Sequence, residues 1–175
     1  MKSKMLSYFS FMIKLCSVAH DDAAKIDEVV RLSDLIWRQH YPAIITMEQI
    51  DYMLDKYHSA AAIKAQILAE QCYFIISQNK VTVGYTSISK KENDVFLHKL
   101  YINKNEHQKG IGGEAIEAIE KHFSSIKKIS LQVNRKNFSA INFYFKHGFK
   151  IETVADFDIG NGFLMEDFLM VKTLM

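Results

Sequence analysis

The chain has 175 residues, of which 49% are hydrophobic and 24% charged, and this length and composition predict a single soluble globular domain. A formal net charge of +2 argues against nucleic acid or a membrane surface as a partner, and no segment is long enough to span a bilayer. Cys16 and Cys72 lack metal-ligand spacing and the histidines form no zinc motif, so we expect reduced thiols, a cytoplasmic location and no metal site.

Residues 1–11 are expected to be a flexible lead to a single domain at residues 12–175. Their apolar run is short, is broken by serines and lacks a small-x-small cleavage site, which argues against a signal peptide. A true start at Met12 is the alternative. An apolar, partly alternating segment at residues 11–18 then predicts the first strand.

Apolar residues at helical spacing predict two or three helices between residues 20 and 71. The first helix ends or bends at Pro42, which is the single proline of the chain. Thr46 is the predicted N-cap of the second, because Gln49 follows three residues later as in a capping box. The alanine-rich segment at residues 59–71 predicts the third helix.

After residue 71 the pattern becomes that of strands. Segments rich in β-branched and aromatic residues at 72–77, 81–88 and 95–102 are separated by short turns, and they predict an antiparallel meander. A helix then precedes a strand at residues 128–133. Because that strand follows the meander across a helix, it should run parallel to the strand at 95–102.

The remaining residues predict a helix and two closing strands. The helix runs from Asn137 to His147, and Gly148 ends it in the usual way of a helix C-terminus. We expect strands at residues 149–155 and 168–173, with a polar loop between them at 156–167. The predicted fold is therefore α/β, with a single mixed, mostly antiparallel sheet, flanking helices and one βαβ junction.

A glycine-rich loop, His107-Gln108-Lys109-Gly110-Ile111-Gly112-Gly113, joins the strand at 95–102 to the next helix. Small residues let a ligand approach the backbone, and the helix N-terminus attracts anions. Lys109 adds a positive charge; an ordinary strand-to-helix turn is the alternative. The loop also fits the dinucleotide pattern G-x-G-x-x-A, but an antiparallel meander precedes it and only one βαβ unit is present. The P-loop pattern is absent.

Two motifs in order identify a family. The glycine-rich loop fits [RQ]-x-x-G-x-[GA] except at His107, and residues 137–149, Asn-Phe-Ser-Ala-Ile-Asn-Phe-Tyr-Phe-Lys-His-Gly-Phe, fit N-x-x-A-x-x-F-Y-x-x-x-G-F. With this order of elements, residues 12–174 resemble the GNAT superfamily of N-acetyltransferases. The resemblance implies the GNAT fold, in which the βαβ junction is splayed to receive acetyl-CoA.

The resemblance also implies roles for individual residues. The loop residues His107, Gln108, Lys109, Gly110, Ile111, Gly112 and Gly113 would bind the pyrophosphate, mainly through backbone N–H groups. Leu100, Tyr101 and Ile102 would offer backbone hydrogen bonds to the pantetheine arm, and an N–H near Leu100 or Ile102 would stabilise the oxyanion.

Tyr144 would protonate the departing thiolate, since a phenol is protonated at neutral pH; a packed core aromatic is the alternative. Asn137 would contact the pantetheine or cap its helix. His98 is a candidate base because its ordinary pKa suits proton removal at neutral pH. A water chain that ends in a carboxylate, with His98 as an exposed strand residue, is the other possibility.

The acceptor site of the family lies between the N-terminal helices and the last hairpin, which directs attention to Trp37, Tyr41 and Asp158. Aromatic rings beside a carboxylate suit a cationic amine, although such carboxylates are also common as solvated loop charge. These segments look similar to those of bacterial polyamine-type acetyltransferases.

The predicted function is transfer of the acetyl group of acetyl-CoA to the primary amine of a small molecule such as a polyamine. Acetylation of a protein N-terminus or a lysine is one alternative. A non-catalytic domain that binds coenzyme A as a sensor is another. Either a monomer or a homodimer is compatible with the sequence.

Overall fold

The computed structural model describes residues 13–107 and 109–174, so the predicted lead at residues 1–11 lies outside the described residues. Short 3₁₀ turns follow the first helix at Tyr41–Ala43 and the fourth strand at Lys104–Glu106. In chain order, the longer elements are β1 (Ile13–Val18), α1 (Ala23–His40), α2 (Met47–His58), α3 (Ala60–Leu68), β2 (Cys72–Gln78), β3 (Val81–Lys91), β4 (Asp94–Ile102), α4 (Ile111–His122), β5 (Lys128–Asn134), α5 (Phe138–Lys146), β6 (Lys150–Gly160) and β7 (Phe163–Thr173).

The seven strands form one sheet in the order β1-β2-β3-β4-β5-β7-β6. Every neighbouring pair is antiparallel except β4 and β5, which are parallel as the βαβ arrangement requires. The predicted α/β fold with one mixed, mostly antiparallel sheet is confirmed. Helices α4 and α5 pack on one face of the sheet, and α1 and α3 pack on the other.

The parallel pair opens into a gap. Strands β4 and β5 are paired only from Asp94 to Leu97 and from Lys128 to Leu131. Beyond that point β4 stays with β3 as far as Ile102, while β5 stays with β7 as far as Asn134. The carboxyl-terminal halves of two neighbouring strands therefore diverge, as the splayed junction of the predicted fold requires.

A β-bulge in β4 lies where the gap begins. Ser87 is opposite Lys99 and Ile88 is opposite Leu97, so His98 is an extra residue with no opposite number on β3. Before the bulge, Leu97 packs in the core beside α4. After it, odd-numbered side chains face α1 and α3 instead, since Tyr101 packs against that cluster.

The loop predicted at residues 156–167 is wrong, because β6 and β7 continue through it as a long hairpin. The turn is confined to Gly160-Asn161-Gly162, where all three residues have positive φ. The segment is polar because β6 is the edge strand of the sheet and most of its side chains are exposed. Asp158, predicted in a loop, therefore lies on β6.

The predicted cap of α2 is confirmed, since the Thr46 side chain accepts a hydrogen bond from the Gln49 N–H. Side chains of Asp22, Ser59 and Asn137 cap α1, α3 and α5 in the same way. Within the described residues, no helix is both long enough and apolar enough to cross a membrane.

Candidate active site

A cleft of about 1270 Å³ runs through the gap between β4 and β5 and connects the two faces of the sheet. At one end it reaches the first turn of α4, and at the other it reaches α1, α2 and the β6–β7 hairpin. Most of the predicted site residues line it together: Trp37, Tyr41, His98, Leu100, Tyr101, Ile102, His107, Gly110, Ile111, Gly112, Gly113, Asn137, Tyr144 and Asp158. Lys109 is not among the lining residues, and Gln108 lies outside the described residues.

The first turn of α4 has the geometry of an anion-binding site. Gly110 is the N-cap residue and has a φ of +80°, and no side chain of the described residues caps this helix. Glu114 is the first residue whose N–H bonds back within the helix, to the Gly110 carbonyl. The N–H groups of Ile111, Gly112 and Gly113 are therefore directed out of the helix N-terminus, where the helix dipole favours negative charge.

Two glycines of the loop are explained by helix packing. A Cβ atom on Gly112 would lie 2.9 Å from Cε2 of Phe143, and one on Gly113 would lie 2.5 Å from Cε1 of His147. The rings of Phe143 on α5 and of His147 just after it thus leave little room for a side chain on the first turn of α4. Packing gives a second reason for glycine at these two positions, beside the approach of a ligand expected from the sequence.

His107 links the loop to β4. Its Nε2 lies 2.8 Å from the Ile102 carbonyl oxygen, which can only accept, so Nε2 carries the proton. Lys109 instead forms an exposed ion pair with Glu106 at 2.9 Å. Lys104 and His107 line this part of the cleft, and together with burial their charges lower the pKa of the nearby His40. Lys104 therefore adds a positive charge to the lining of this part of the cleft.

Backbone groups of β4 are divided between β3 and the gap. Asn103 donates its N–H to the Val83 carbonyl of β3. Because backbone groups alternate along a strand, Tyr101 also points to β3, whereas Leu100 and Ile102 point into the gap. The Leu100 N–H and carbonyl and the Ile102 N–H are thus available to a ligand there, whereas the Ile102 carbonyl accepts from His107. The Tyr101 backbone pairs with β3, and the Tyr101 ring lies on the α1 side of the cleft.

Tyr144 lies on α5 between the rings of Phe143 and Phe149 and is 9% exposed. Burial raises its pKa above the ordinary value, so its hydroxyl is protonated at neutral pH. No hydrogen-bond partner for this hydroxyl is found in residues 13–107 and 109–174, although it borders the cleft. A protonated donor facing the gap has the chemistry of a general acid.

Asn137 is a helix cap in this structure. Its Oδ1 accepts from the Ala140 N–H at 3.2 Å and lies 3.2 Å from Nε2 of His40. Of the two roles considered from the sequence, capping is the one that these contacts show.

His98, the extra residue of the bulge, has its Nε2 2.8 Å from the Ser89 hydroxyl. Its side chain is exposed, yet desolvation and then the Lys99 charge lower its pKa to about 4. His98 is thus an exposed strand residue that also borders the cleft.

On the α1 side the cleft widens into a chamber with aromatic walls. Trp37 stacks on Tyr41 with ring centroids 4.2 Å apart, and the Tyr101 ring lies 6.1 Å from Trp37. The indole Nε1 of Trp37 is the one side-chain donor or acceptor atom that is fully shielded from solvent and lacks a hydrogen-bond partner in the part of the chain that the structure describes. Asp158 lies exposed at the rim, and its carboxylate accepts from the Gly160 N–H at 2.8 Å to brace the hairpin turn.

Three charged or polar side chains of this chamber escaped the sequence analysis. Asp167 on β7 is 4% exposed and lines the chamber, and burial raises its pKa to about 6. Lys99 is buried and donates to Tyr73 and Gln66, and burial lowers its pKa to about 8. His58 is buried beside Ser33 and Tyr85, and burial keeps its pKa well below the ordinary value.

Asp167 was missed because the last strand was predicted to begin at residue 168, whereas β7 begins at Phe163 and includes Asp167. A signal was available in the sequence. Asp167 lies at alternate positions with Met165 and Leu169, so it is a carboxylate in the apolar register of a strand.

Residues 29–149 match the model of the Acetyltransferase (GNAT) family. Over 161 residues the chain is 27% identical to the spermidine N(1)-acetyltransferase of Thermoplasma acidophilum, covering 88% of this chain and 96% of that protein.

Two solved structures show the same fold. The PaiA N-acetyltransferase of T. acidophilum in complex with coenzyme A superposes with a TM-score of 0.76 at 22% identity, over 93% of this chain and 99% of the other. A GCN5-related N-acetyltransferase of Rhodopseudomonas palustris has a TM-score of 0.73 at 21% identity, over 92% and 95%. The chain therefore belongs to the GNAT family and is an acetyl-CoA-dependent N-acetyltransferase, as its two motifs predict.

Proposed function

We propose that this protein transfers the acetyl group of acetyl-CoA to a primary amine of a small cationic acceptor, with a polyamine as the first candidate. The observation that carries the proposal is the continuity of the cleft. A single passage leads from the anion-attracting N-terminus of α4, past Tyr144, to an aromatic chamber that contains a buried carboxylate. The two ends suit an anionic and a cationic substrate respectively.

The residues of the first end fit coenzyme A. The outward N–H groups of Ile111, Gly112 and Gly113 suit a pyrophosphate, and Lys104 adds a positive charge to this part of the cleft. The backbone groups of Leu100 and Ile102 face the gap, where an extended amide-containing arm can pair with them as an additional strand would. The relative crystallised with coenzyme A shares this fold.

Tyr144 supplies the acid of the reaction. When the amine attacks the thioester carbonyl, the carbon–sulfur bond breaks and the thiolate needs a proton. The Tyr144 hydroxyl is protonated and borders the gap, and it donates a hydrogen bond to no acceptor among the described residues. An N–H of Leu100 or Ile102 is placed to stabilise the oxyanion.

The second end favours a small acceptor over a protein. Gln49 Nε2 donates to the Leu164 carbonyl at 3.0 Å, and the Tyr52 hydroxyl donates to the Ile159 carbonyl. Helix α2 is thereby tied to the β6–β7 hairpin, and residues of both line the chamber. Aromatic rings beside a carboxylate attract alkylammonium groups, and the 27% identical relative is named for spermidine.

Acetyl-CoA binding is tested first by isothermal titration calorimetry. The acceptor is then sought by thiol release from acetyl-CoA with spermidine, putrescine, a neutral amino acid amide and a peptide with an N-terminal alanine. Turnover that favours spermidine or putrescine is expected. Faster turnover of the peptide would assign a protein acceptor, and binding of acetyl-CoA without turnover of any amine would assign a sensor domain.

A further inference from the structure

Asp167 is a buried carboxylate that the fold has not neutralised. It lies on β7 opposite Asn134 of β5 and Ala155 of β6, so paired strands hold its backbone on both sides. Its side chain is 4% exposed and faces the aromatic chamber. Within residues 13–107 and 109–174, no side chain or backbone N–H forms a hydrogen bond or an ion pair with it. Burying such a group costs free energy unless it binds a partner.

The charges around Asp167 do not supply that partner. Arg135, after β5, attracts the Asp167 carboxylate, but it forms its ion pairs with Asp156 at 2.6 Å and with Glu166 at 3.3 Å. Asp156 of β6 adds a repelling negative charge. Tyr41, in the turn after α1, interacts electrostatically with the carboxylate. A cation brought into the chamber would find Asp167 available.

Tyr41 connects this carboxylate to the acid of the reaction. Its hydroxyl interacts electrostatically with Asp167 and with Tyr144, and its ring stacks on Trp37. Asp167 and Tyr144 thus both interact with one phenol. Trp37 and Tyr101 line the same cleft as these two groups, so an amine bound there shares the cleft with both.

Resting on the proposed function, we propose that Asp167 binds the ammonium group of the acceptor and is the base that removes its first proton. The acceptor arrives as R–NH₃⁺ and gives one proton to the Asp167 carboxylate. The neutral amine then forms the C–N bond, the C–S bond breaks, and Tyr144 gives its proton to the sulfur. The nitrogen loses its second proton to the Tyr144 phenolate, and the Asp167 proton passes to water. One amide, one thiol and one released proton balance the reaction.

The test measures thiol release with spermidine and acetyl-CoA across pH 5.5–9.5 for wild type, Asp167→Asn, Asp167→Glu and Asp51→Asn. We expect Asp167→Asn to lower kcat/KM for spermidine about 100-fold at pH 7, the size usual for loss of a general base. The rate of this variant should then rise about tenfold per pH unit, because free amine must come from solution. Asp167→Glu should recover part of the activity. Asp51→Asn removes an exposed carboxylate on α2 and should resemble wild type.

Calorimetry with acetyl-CoA on the same variants separates catalysis from folding. Unchanged acetyl-CoA affinity together with the altered pH profile supports the proposal. An Asp167→Asn variant with wild-type activity, or with lower activity but a wild-type pH profile, overturns it and leaves the proposed function standing. A wild-type protein that binds acetyl-CoA but acetylates no amine overturns the proposed function and this inference together.

Discussion

Nε2 of His107 donates a 2.8 Å hydrogen bond to the carbonyl oxygen of Ile102, and this bond joins the glycine-rich loop to the end of β4. Both partners border the cleft. The first position of the family motif is usually arginine or glutamine. Here His107 occupies it, and its hydrogen bond fixes the glycine-rich loop against the end of the strand that borders the gap.

His107→Ala should weaken acetyl-CoA binding. Loss of one hydrogen bond of this kind costs about 1 kcal/mol, which corresponds to a roughly fivefold higher Kd. Calorimetry measures the change, and the kcat at saturating acetyl-CoA should be nearly unaffected. His107→Gln keeps an N–H donor and is expected to bind within about twofold of wild type. Equal affinity of the alanine variant would show that the loop needs no such bond.

Tyr144→Phe should lower kcat about 100-fold, because the ring and its packing remain but the proton for the thiolate is lost. The acetyl-CoA affinity, measured by calorimetry, should stay within about twofold of wild type, since the change is made at the chemical step. The pKa of Tyr144 is raised by burial, so the wild-type rate should show no loss from its ionisation up to pH 10. A fully active Phe variant would contradict the assignment of this residue as the acid.

Gly112→Ala should destabilise the protein by about 1–3 kcal/mol, the usual cost of overpacking a tight contact. The added methyl group would meet the Phe143 ring at 2.9 Å. Thermal unfolding measures the loss, and Gly112→Ala with Phe143→Leu should recover part of it by making room. If instead the single variant were stable and only acetyl-CoA binding failed, the glycine would be required by the ligand.

Asp167→Asn should change stability in a pH-dependent way. Burial raises the Asp167 pKa from 3.8 to about 6, so the folded state holds this proton more tightly than the unfolded state does. The stability that this provides is present below about pH 4 and is lost as pH rises through 6. Relative to wild type, the asparagine variant should therefore gain up to about 3 kcal/mol between pH 4 and 7. If the free energy of unfolding of the variant differed from that of wild type by the same amount at pH 4.5 and at pH 7.5, this prediction would be refuted.

Much of the fold was predictable because its signals are local. The turn at Gly148, the Thr46 cap and the strands rich in β-branched and aromatic residues at 72–102 each depend on a few neighbouring residues, and all of these appear as predicted. The last two strands were predicted too short, because the edge strand β6 exposes polar side chains that resemble those of a loop.

The site was predictable only where a motif carries it. Tyr144 and the α4 N-terminus follow from sequence patterns, whereas the burial of Asp167, Lys99 and His58 in one chamber depends on how the strands and α2 pack together, and for Lys99 also on the bulge. These are properties of tertiary pairing. A one-dimensional pattern does not encode which face of the sheet a residue reaches after an irregularity.

The extra residue at His98 also constrains how this strand can change in length. Adding or removing one residue in β4 would carry Tyr101 to the face of α4 and bring Leu100 into the aromatic chamber, since side chains alternate with a period of two. The same shift would exchange the backbone groups that face the gap. Insertions and deletions in this strand should therefore be tolerated in pairs of residues, or matched by loss of the bulge itself.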